Sequence, residues 1–386
     1  MQVTSPKDPS QEFFIGLMSG TSLDGIDGVL CAIDVNGHAE VLIHVSAEFS
    51  ADLKASLFEL QAPTENELHK EAVAGNQLAR EYAEIVIRIL KLAHLTPQDI
   101  RAIGAHGQTI RHQPALSNSV GYSLQCLSGA LLAELTNIDV INDFRSRDIA
   151  ANGQGAPLVP AFHLSQFGNS EHSKAILNLG GIANLTLLRP GHTVLGFDTG
   201  PGNILLDSWI FDQKKLSFDH SGQWAKTGKP HLELLHILCD ETYFSDPIPK
   251  STGRDLFNLQ WLLQKITLCK SKPSPEDVQA SLVELTCITI VQSLELYLPE
   301  CREVIVCGGG AKNQFLLEKL TEACKVSQLG AQVITTQELG LDPQTIEGMA
   351  FAWLAWCFNK KSPGNISEVT GAKGPRILGT LHYKSY

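Results

Sequence analysis

Gly16-Leu-Met-Ser-Gly20-Thr-Ser-Leu-Asp-Gly25-Ile-Asp27 joins two apolar runs, Phe13 to Leu17 and Gly28 to Val35, through a turn of hydroxyls, glycine and carboxylate. Two apolar runs flanking such a turn predict the arms of a β-hairpin. The turn itself reads as one that binds phosphate. Glycine permits positive φ and lets the backbone approach a ligand closely, so consecutive N–H groups can point at one anion, and Ser19, Thr21 and Ser22 add short donors. Asp24 and Asp27 would repel a bare phosphate. They make sense if a Mg²⁺ ion or the proton of an attacking group lies between, as in phosphoryl transfer. On composition alone a solvated β-turn is the competing reading.

The same texture returns in the second half of the chain. Lys174 to Leu188, containing Asn178-Leu-Gly180-Gly181-Ile-Ala-Asn184, is again strand, glycine turn, strand, and points to an internal duplication. Thr193 to Phe197 predicts a further strand ending in Asp198-Thr-Gly200-Pro-Gly202-Asn203, with a helix over Ile204 to Phe211. A carboxylate there sits at the C-terminal end of a strand, where open α/β sheets place their ligands. Glu303 to Val306 reads as a strand running into Cys307-Gly-Gly-Gly310-Ala-Lys-Asn313, with a helix from Gln314. Strand, glycine turn and helix N-terminus together make an anion or nucleotide site.

Between these, Val41 to Phe49, Ile100 to Ala105 and Ile138 to Ile141 are predicted strands. Glu65 to Leu95, after the cap-like Thr64, Ser128 to Thr136, Pro275 to Tyr297 and Thr345 to Phe358 are predicted helices. Asn142 to Pro160 is polar and glycine-rich, and reads as a functional loop.

At 386 residues the chain exceeds one ordinary core, so two domains are expected, and 43% hydrophobic with 18% charged content fits a globular enzyme. No apolar run reads as a bilayer span, and Met1 to Ser10 lacks a basic stretch followed by an apolar core; the cytoplasm is the expected address. Nine cysteines, an odd number without a Cys-x-x-Cys pair, suit neither a disulfide framework nor a zinc site and read as small buried hydrophobes. A net charge of −11 without clustered Lys and Arg argues against a nucleic-acid surface. P-loop, protein-kinase and zincin signatures are missing, and Gly308-Gly-Gly310 lacks the third glycine of a dinucleotide fingerprint. His106 and His112 would stand about 20 Å apart on a strand, too far to share a metal, and read with Gln108, Thr109 and Arg111 as a polar substrate wall.

Taken in order, Gly16 to Asp27, Ala105-His-Gly-Gln-Thr-Ile-Arg-His112, Asn142-Asp-Phe-Arg145, Asn178 to Asn184, Gly196-Phe-Asp-Thr-Gly-Pro-Gly-Asn203 and Cys307 to Asn313 closely resemble the anhydro-N-acetylmuramic acid kinase family. The resemblance covers nearly the whole chain, the tail Thr370-Gly-Ala-Lys-Gly-Pro-Arg376 included. It implies an α/β, two-domain actin-like (ribonuclease H-like) ATPase fold with an interdomain cleft. An N-terminal lobe over 1–145, with the tail 364–386 packing on it, would precede a C-terminal lobe over 146–363. It implies a cytoplasmic kinase that uses ATP and water to turn 1,6-anhydro-N-acetylmuramic acid into N-acetylmuramic acid 6-phosphate in cell-wall recycling, as a homodimer, with no nucleic-acid or membrane partner.

By motif match Gly20, Thr21, Ser22, Leu23, Asp24, Gly25, Ile26 and Asp27 contact the ATP phosphates. Gly180 and Gly181 form the second phosphate turn, Gly308, Gly309 and Gly310 lie by the nucleoside, and Asp198 is the catalytic base. Asp24 is the candidate holder of Mg²⁺. His106, Gln108, Thr109 and Arg145 are candidate sugar contacts, with a structural hydrogen bond or ion pair as the alternative for His106 and Arg145.

The anhydro sugar has no free 6-hydroxyl, because O6 is tied to the anomeric carbon. Water must therefore open that bridge, and a base on the opposite face activates it while departing O6 captures the γ-phosphoryl group. One aspartate serves both halves. An N-cap on the following helix is the other duty such an aspartate performs. Another small-molecule kinase of the same superfamily, or a non-catalytic nucleotide-switched binding protein, are the alternative functions.

Overall fold

The computed structural model describes residues 11–20, 23, 25–116, 119–168 and 171–385, so Thr21, Ser22 and Asp24 of the first turn lie outside the described residues. The chain divides into two compact units, residues 1–169 with 344–386, and residues 170–343.

The first unit opens with β1 (Glu12–Ser19), β2 (Ile26–Ile33), β3 (Ala39–Ala47) and β4 (Ile100–Ala105). A detached hairpin of β5 (Gln108–Leu116) and β6 (Ser119–Cys126) follows, unforeseen in the sequence, and then β7 (Val140–Asn142). The second unit holds β8 (Lys174–Leu179), β9 (Ile182–Leu188), β10 (Leu195–Pro201), β11 (Glu303–Cys307) and β12 (Gln332–Thr335), and the chain closes in the first with β13 (Thr380–His382).

The sheets run β13-β7-β4-β1-β2-β3 and β10-β9-β8-β11-β12. With β13 and the hairpin set aside, both read third, second, first, fourth, fifth. In each the first three strands are antiparallel and the other two continue parallel to the first. This is the duplicated ribonuclease H-like order of the actin-like ATPase fold.

Burial explains the central strands. Phe13, Phe14, Ile15 and Leu17 of β1 are all at most 4% exposed, so both faces of that strand are covered and its apolar run need not alternate. One cover is the helix Ile346–Asn359, which packs with almost no spacer. Gly16 and Gly104 are register partners on β1 and β4. A Cβ at Gly16 would lie 1.8 Å from the Gly348 carbonyl oxygen, and one at Gly104 would lie 2.0 Å from that of Phe351. Gly16, the first glycine of the opening motif, is thus a packing residue.

Two readings shift with this contact. The expected lobe boundary at 145 moves to about 169, and residues 344–363 join the first unit, because the Ile346–Asn359 helix lies on β1 and β4. The stretch read as a loop over 142–160 contains the helix Ser146–Ala150 and is knotted to the tail through buried Asp148. Asp148 Oδ1 accepts from Asn365 Nδ2 at 2.6 Å and Thr370 Oγ1 at 2.7 Å, and Oδ2 accepts from the Gly155 N–H at 2.8 Å. The long helix is Glu67–Ala93, entered through left-handed Asn66; Thr64 donates to Glu59 instead of capping.

In the second unit, Pro275–Tyr297 is long and apolar enough to cross a membrane by length and composition, contrary to the sequence reading, yet 61% of its most apolar stretch is buried in the unit's core. None of the nine cysteines is in a disulfide and seven are buried, as expected of small hydrophobes.

Gly104→Ala forces backbone apart from backbone and should destabilise the first unit by about 2 kcal/mol or more in denaturant titration. An unmoved midpoint would show that the helix can slide away. Asp148→Ala leaves the Asn365 amide and the Gly155 N–H unanswered and Thr370 Oγ1 with only the Ile366 carbonyl at 3.5 Å, and should cost about 3 kcal/mol or more by the same measurement.

Candidate active site

The first turn begins where β1 ends. Ser19, read as a phosphate donor, is 1% exposed and already committed: its hydroxyl lies 2.9 Å from Tyr82 Oη and donates to the Gly107 carbonyl at 3.2 Å. The Gly20 carbonyl accepts from Gln108 Nε2 at 3.1 Å and from the Leu23 N–H at 3.2 Å, and Leu23 takes a positive φ. Leu23 and Ile26 bury their side chains in the core, and a Cβ on Gly25 would strike the Ala47 carbonyl at 2.5 Å. Contact with a ligand by these residues could come only through backbone. Asp27 Oδ1 lies 2.8 Å from His44 Nε2.

The second turn is assembled from three separated segments. Gly180 and Gly181 link β8 to β9, and their carbonyls accept from the first amides of the next helix, Asn203–Lys214: Gly202 N–H and Ile204 N–H on Gly181, and Asn203 N–H on Gly180, all within 3.0 Å. Asn203 Nδ2 donates to the Leu179 carbonyl at 3.1 Å. The Gly308 to Gly310 turn abuts the same place.

Space distinguishes two kinds of glycine here. Cβ atoms at Gly202, Gly308 and Gly310 would meet the Gly180 carbonyl oxygen, Asn178 Oδ1 and Leu179 Cβ at 2.4, 2.3 and 2.6 Å, so packing alone demands those glycines. A Cβ at Gly180 or Gly181 meets nothing closer than 3.5 Å, and one at Gly309 meets nothing within 4 Å. These three leave backbone accessible, which is the property a phosphate or nucleoside contact requires.

Asp198 lies within β10, paired with Asn184 across to β9, beside a register shift that precedes Gly200. The capping alternative fails, because the helix that follows is capped at Gly202, four residues on. Burial out of water raises the Asp198 carboxyl to about 6, partly countered by the Thr252 N–H, which donates to Oδ2 at 3.0 Å. Among the described residues no group donates to Oδ1. The strand extends to Pro201, so Asp198 stands in its interior and not at its end.

The proposed sugar wall splits. Arg145 NH2 is 2.9 Å from His106 Nε2, and Arg145 NH1 donates to the Gly155 carbonyl at 2.8 Å. Arginine only donates, so His106 Nε2 accepts and its proton sits on Nδ1. Burial first, and the neighbouring guanidinium second, push His106 down to about 3, which keeps it neutral. Gln108 Oε1 and Arg145 Nε are buried without a partner among the described residues. Thr109 is turned to Gln125, whose Nε2 donates to its hydroxyl at 3.3 Å. Arg111 pairs with Glu67, and His112 Nδ1 sits 3.0 Å from Ser123 Oγ.

Tyr243, Lys250 and Thr252, which engage Asp198, were not singled out from the sequence; they lie 45 or more residues from it with no motif to flag them. Among the described residues one trio of metal-ligand type, His231, Glu233 and Cys269, gathers within 4.8 Å, but two of its members have structural duties. His231 Nδ1 accepts from the Leu234 N–H and Glu233 accepts from the Lys270 N–H.

The family model of anhydro-N-acetylmuramic acid kinase matches residues 12–384. A protein of that name from Burkholderia thailandensis is 47% identical over 382 residues, covering 97% of this chain and 98% of its own. Another of that name, from Cupriavidus metallidurans, is 47% identical over 383 residues, covering 98% and 99%. Among solved structures, the activator of the 2-hydroxyisocaproyl-CoA dehydratase from Clostridium difficile with bound ADPNP aligns over 90% of this chain and 96% of that one, at 13% identity and a TM-score of 0.44. That likeness is distant, whereas the sequence match runs through both units and every motif quoted above: the chain belongs to the anhydro-N-acetylmuramic acid kinase family.

Proposed function

We propose that this enzyme opens 1,6-anhydro-N-acetylmuramic acid with water and transfers the γ-phosphoryl group of ATP to O6, with Asp198 as the base. Membership of the family and the shared name of the relatives support a sugar kinase, and leave another small-molecule kinase or a non-catalytic switch without support. The observation that carries the role of Asp198 is its carboxylate: Oδ2 is anchored by one backbone amide, and no described group donates to Oδ1.

A base needs that asymmetry. The anchored oxygen fixes the rotamer while the other takes a proton from water, and a carboxyl raised to about 6 is mostly ionised at neutral pH yet more basic than an exposed aspartate. The activated water attacks C1, the C1–O6 bond breaks, and O6 takes the γ-phosphoryl group. His106, Gln108 and Arg145 would hold the sugar; being neutral, His106 offers a hydrogen bond rather than a charge. Gly180, Gly181 and Gly309 would lie along ATP, with the backbone of Gly20 to Asp27 at its phosphates. Mg²⁺, which neutralises the phosphates when bound, is given no ligand here, since Asp27 faces His44 and Asp24 lies outside the described residues. A cytoplasmic address and a homodimer belong to the same reading.

Asp198→Asn keeps shape and removes basicity, so turnover should fall at least about a hundredfold with ATP affinity retained. Stability should move the other way. A carboxyl whose folded pKa is raised favours the folded state below about pH 4, and that contribution is lost as pH rises through about 6. The variant cannot ionise, so its unfolding midpoint at neutral pH should equal or exceed that of the parent. Near-normal turnover would return Asp198 to a structural duty.

Reaction in ¹⁸O-water should place label on C1 of the sugar product and none in the transferred phosphate, read promptly against a control for anomeric exchange. Inversion should give the α-anomer first by NMR. Label in the phosphate would mean simple ATP hydrolysis.

A further inference from the structure

We propose that the segment from Tyr243 to Thr252 is a clamp that positions Asp198, with Tyr243, Lys250 and the Thr252 amide as positioning groups; the proposal rests on Asp198 being the base. β10 is an edge strand, so the backbone groups of Asp198 that face away from Asn184 have no neighbouring strand to meet. The segment meets them instead. The Asp198 N–H donates to the Lys250 carbonyl at 3.1 Å, Tyr243 Oη donates to the Asp198 carbonyl at 2.9 Å, and the Thr252 N–H donates to Oδ2 at 3.0 Å. One stretch of ten residues thus takes the N–H, the carbonyl and one carboxylate oxygen of a single residue.

The segment is braced for this work. Lys250 Nζ donates to the Tyr243 carbonyl at 3.0 Å and the Phe244 carbonyl at 2.9 Å, and lies 4.7 Å over the Tyr243 ring, so one ammonium ties both ends of the loop. Burial lowers the pKa of Lys250, a cost borne by a group taken partly out of water. Phe244 stacks on Phe257 with centroids 5.7 Å apart, anchoring the loop to the core. It also sits on Gly200, where a Cβ would lie 2.8 Å from its ring. That contact gives Gly200 of the Asp-Thr-Gly-Pro-Gly motif a use that does not involve phosphate.

A cover that merely blunted a sheet edge would need backbone bonds alone. Here a phenol and an amide converge on the residue whose strand is irregular, since the β10 register slips between Asp198 and Gly200. The sheet therefore does not fix the direction of the carboxylate by itself. The titratable groups on the segment are Tyr243, kept a neutral phenol by burial, Lys250, turned to two carbonyls, and Asp246, whose charge raises the pKa of both; across on β9 stands uncharged Asn184. Of the clamp's bonds, the Thr252 amide is the one that holds the carboxyl from rising further.

The test uses the full chain, ATP and the anhydro sugar, with rates followed from about pH 5 to about pH 9. Lys250→Met keeps length and removes both ties. It should lower kcat about tenfold or more, leave KM for ATP within about twofold, and move the acid limb of the pH profile upward as the Thr252 amide loses the carboxylate. Lys250→Arg should recover part of the rate. Tyr243→Phe, one atom smaller, should shift rate and limb the same way by less, and it decides the matter if Lys250→Met does not fold. Adding Lys250→Met to Asp198→Asn should change the residual rate no further. Parental kcat and an unmoved limb in folded Lys250→Met or Tyr243→Phe, beside an inactive Asp198→Asn, overturn the clamp and spare the base. An active Asp198→Asn overturns the base itself.

Discussion

Helix backbone rests on sheet backbone where Gly348 and Phe351 meet Gly16 and Gly104, and the architecture of the first unit follows from that contact. Side chains ordinarily hold a helix away from the sheet beneath it. Here paired glycines remove the spacer, and the carbonyl oxygens of the helix stand within 2.0 Å of where two Cβ atoms would be. The helix that does this comes from the far side of the second unit in sequence, so the first unit cannot be completed until residues 170–343 have been made. The same strands, β1 and β4, run out to Ser19 and to His106, and the glycine contact is therefore what holds the first turn and the residues proposed to meet the sugar on one platform.

Three buried or partly buried charges show how environment separates structural groups from reactive ones. Asp148 is answered on both oxygens by Asn365, Thr370 and Gly155. Arg145 is pushed down to about 10 by burial, with Glu347 and Asp148 acting against that, and so keeps its charge at neutral pH while its neighbour His106 loses the ability to gain one. Asp198 has a single amide and no cation, and it alone rises toward the range in which a carboxylate works as a base.

Glycine is the residue type most easily misread in this chain. Gly16, Gly25, Gly200, Gly202, Gly308 and Gly310 stand inside motifs that look like phosphate cradles, yet each faces an atom that would collide with a Cβ. In the second turn, by contrast, Gly180, Gly181 and Gly309 face room. The motifs are specific because they record two demands at once, close packing of turn on turn and exposure of backbone to a ligand, and a string of letters does not say which glycine answers which.

What the sequence alone determined is whatever local chemistry imposes: alternating strands and helices, two glycine hairpins and hence a duplicated α/β fold, and through six ordered motifs the family, with Asp198 singled out as the carboxylate proposed as the base. Helix and strand periodicity and turn residues act over a few neighbours, so they are legible in order along the chain. Only the tertiary structure decided that the helix from Ile346 to Asn359 belongs to the first unit, that Ser19 is consumed by Tyr82 and Gly107, and that Asp198 is a strand residue held from 45 and more residues away by Tyr243, Lys250 and Thr252. Those facts depend on contacts between segments remote in sequence, where the deciding quantity is a distance of 2 or 3 Å set by the whole packing, and no local pattern encodes it.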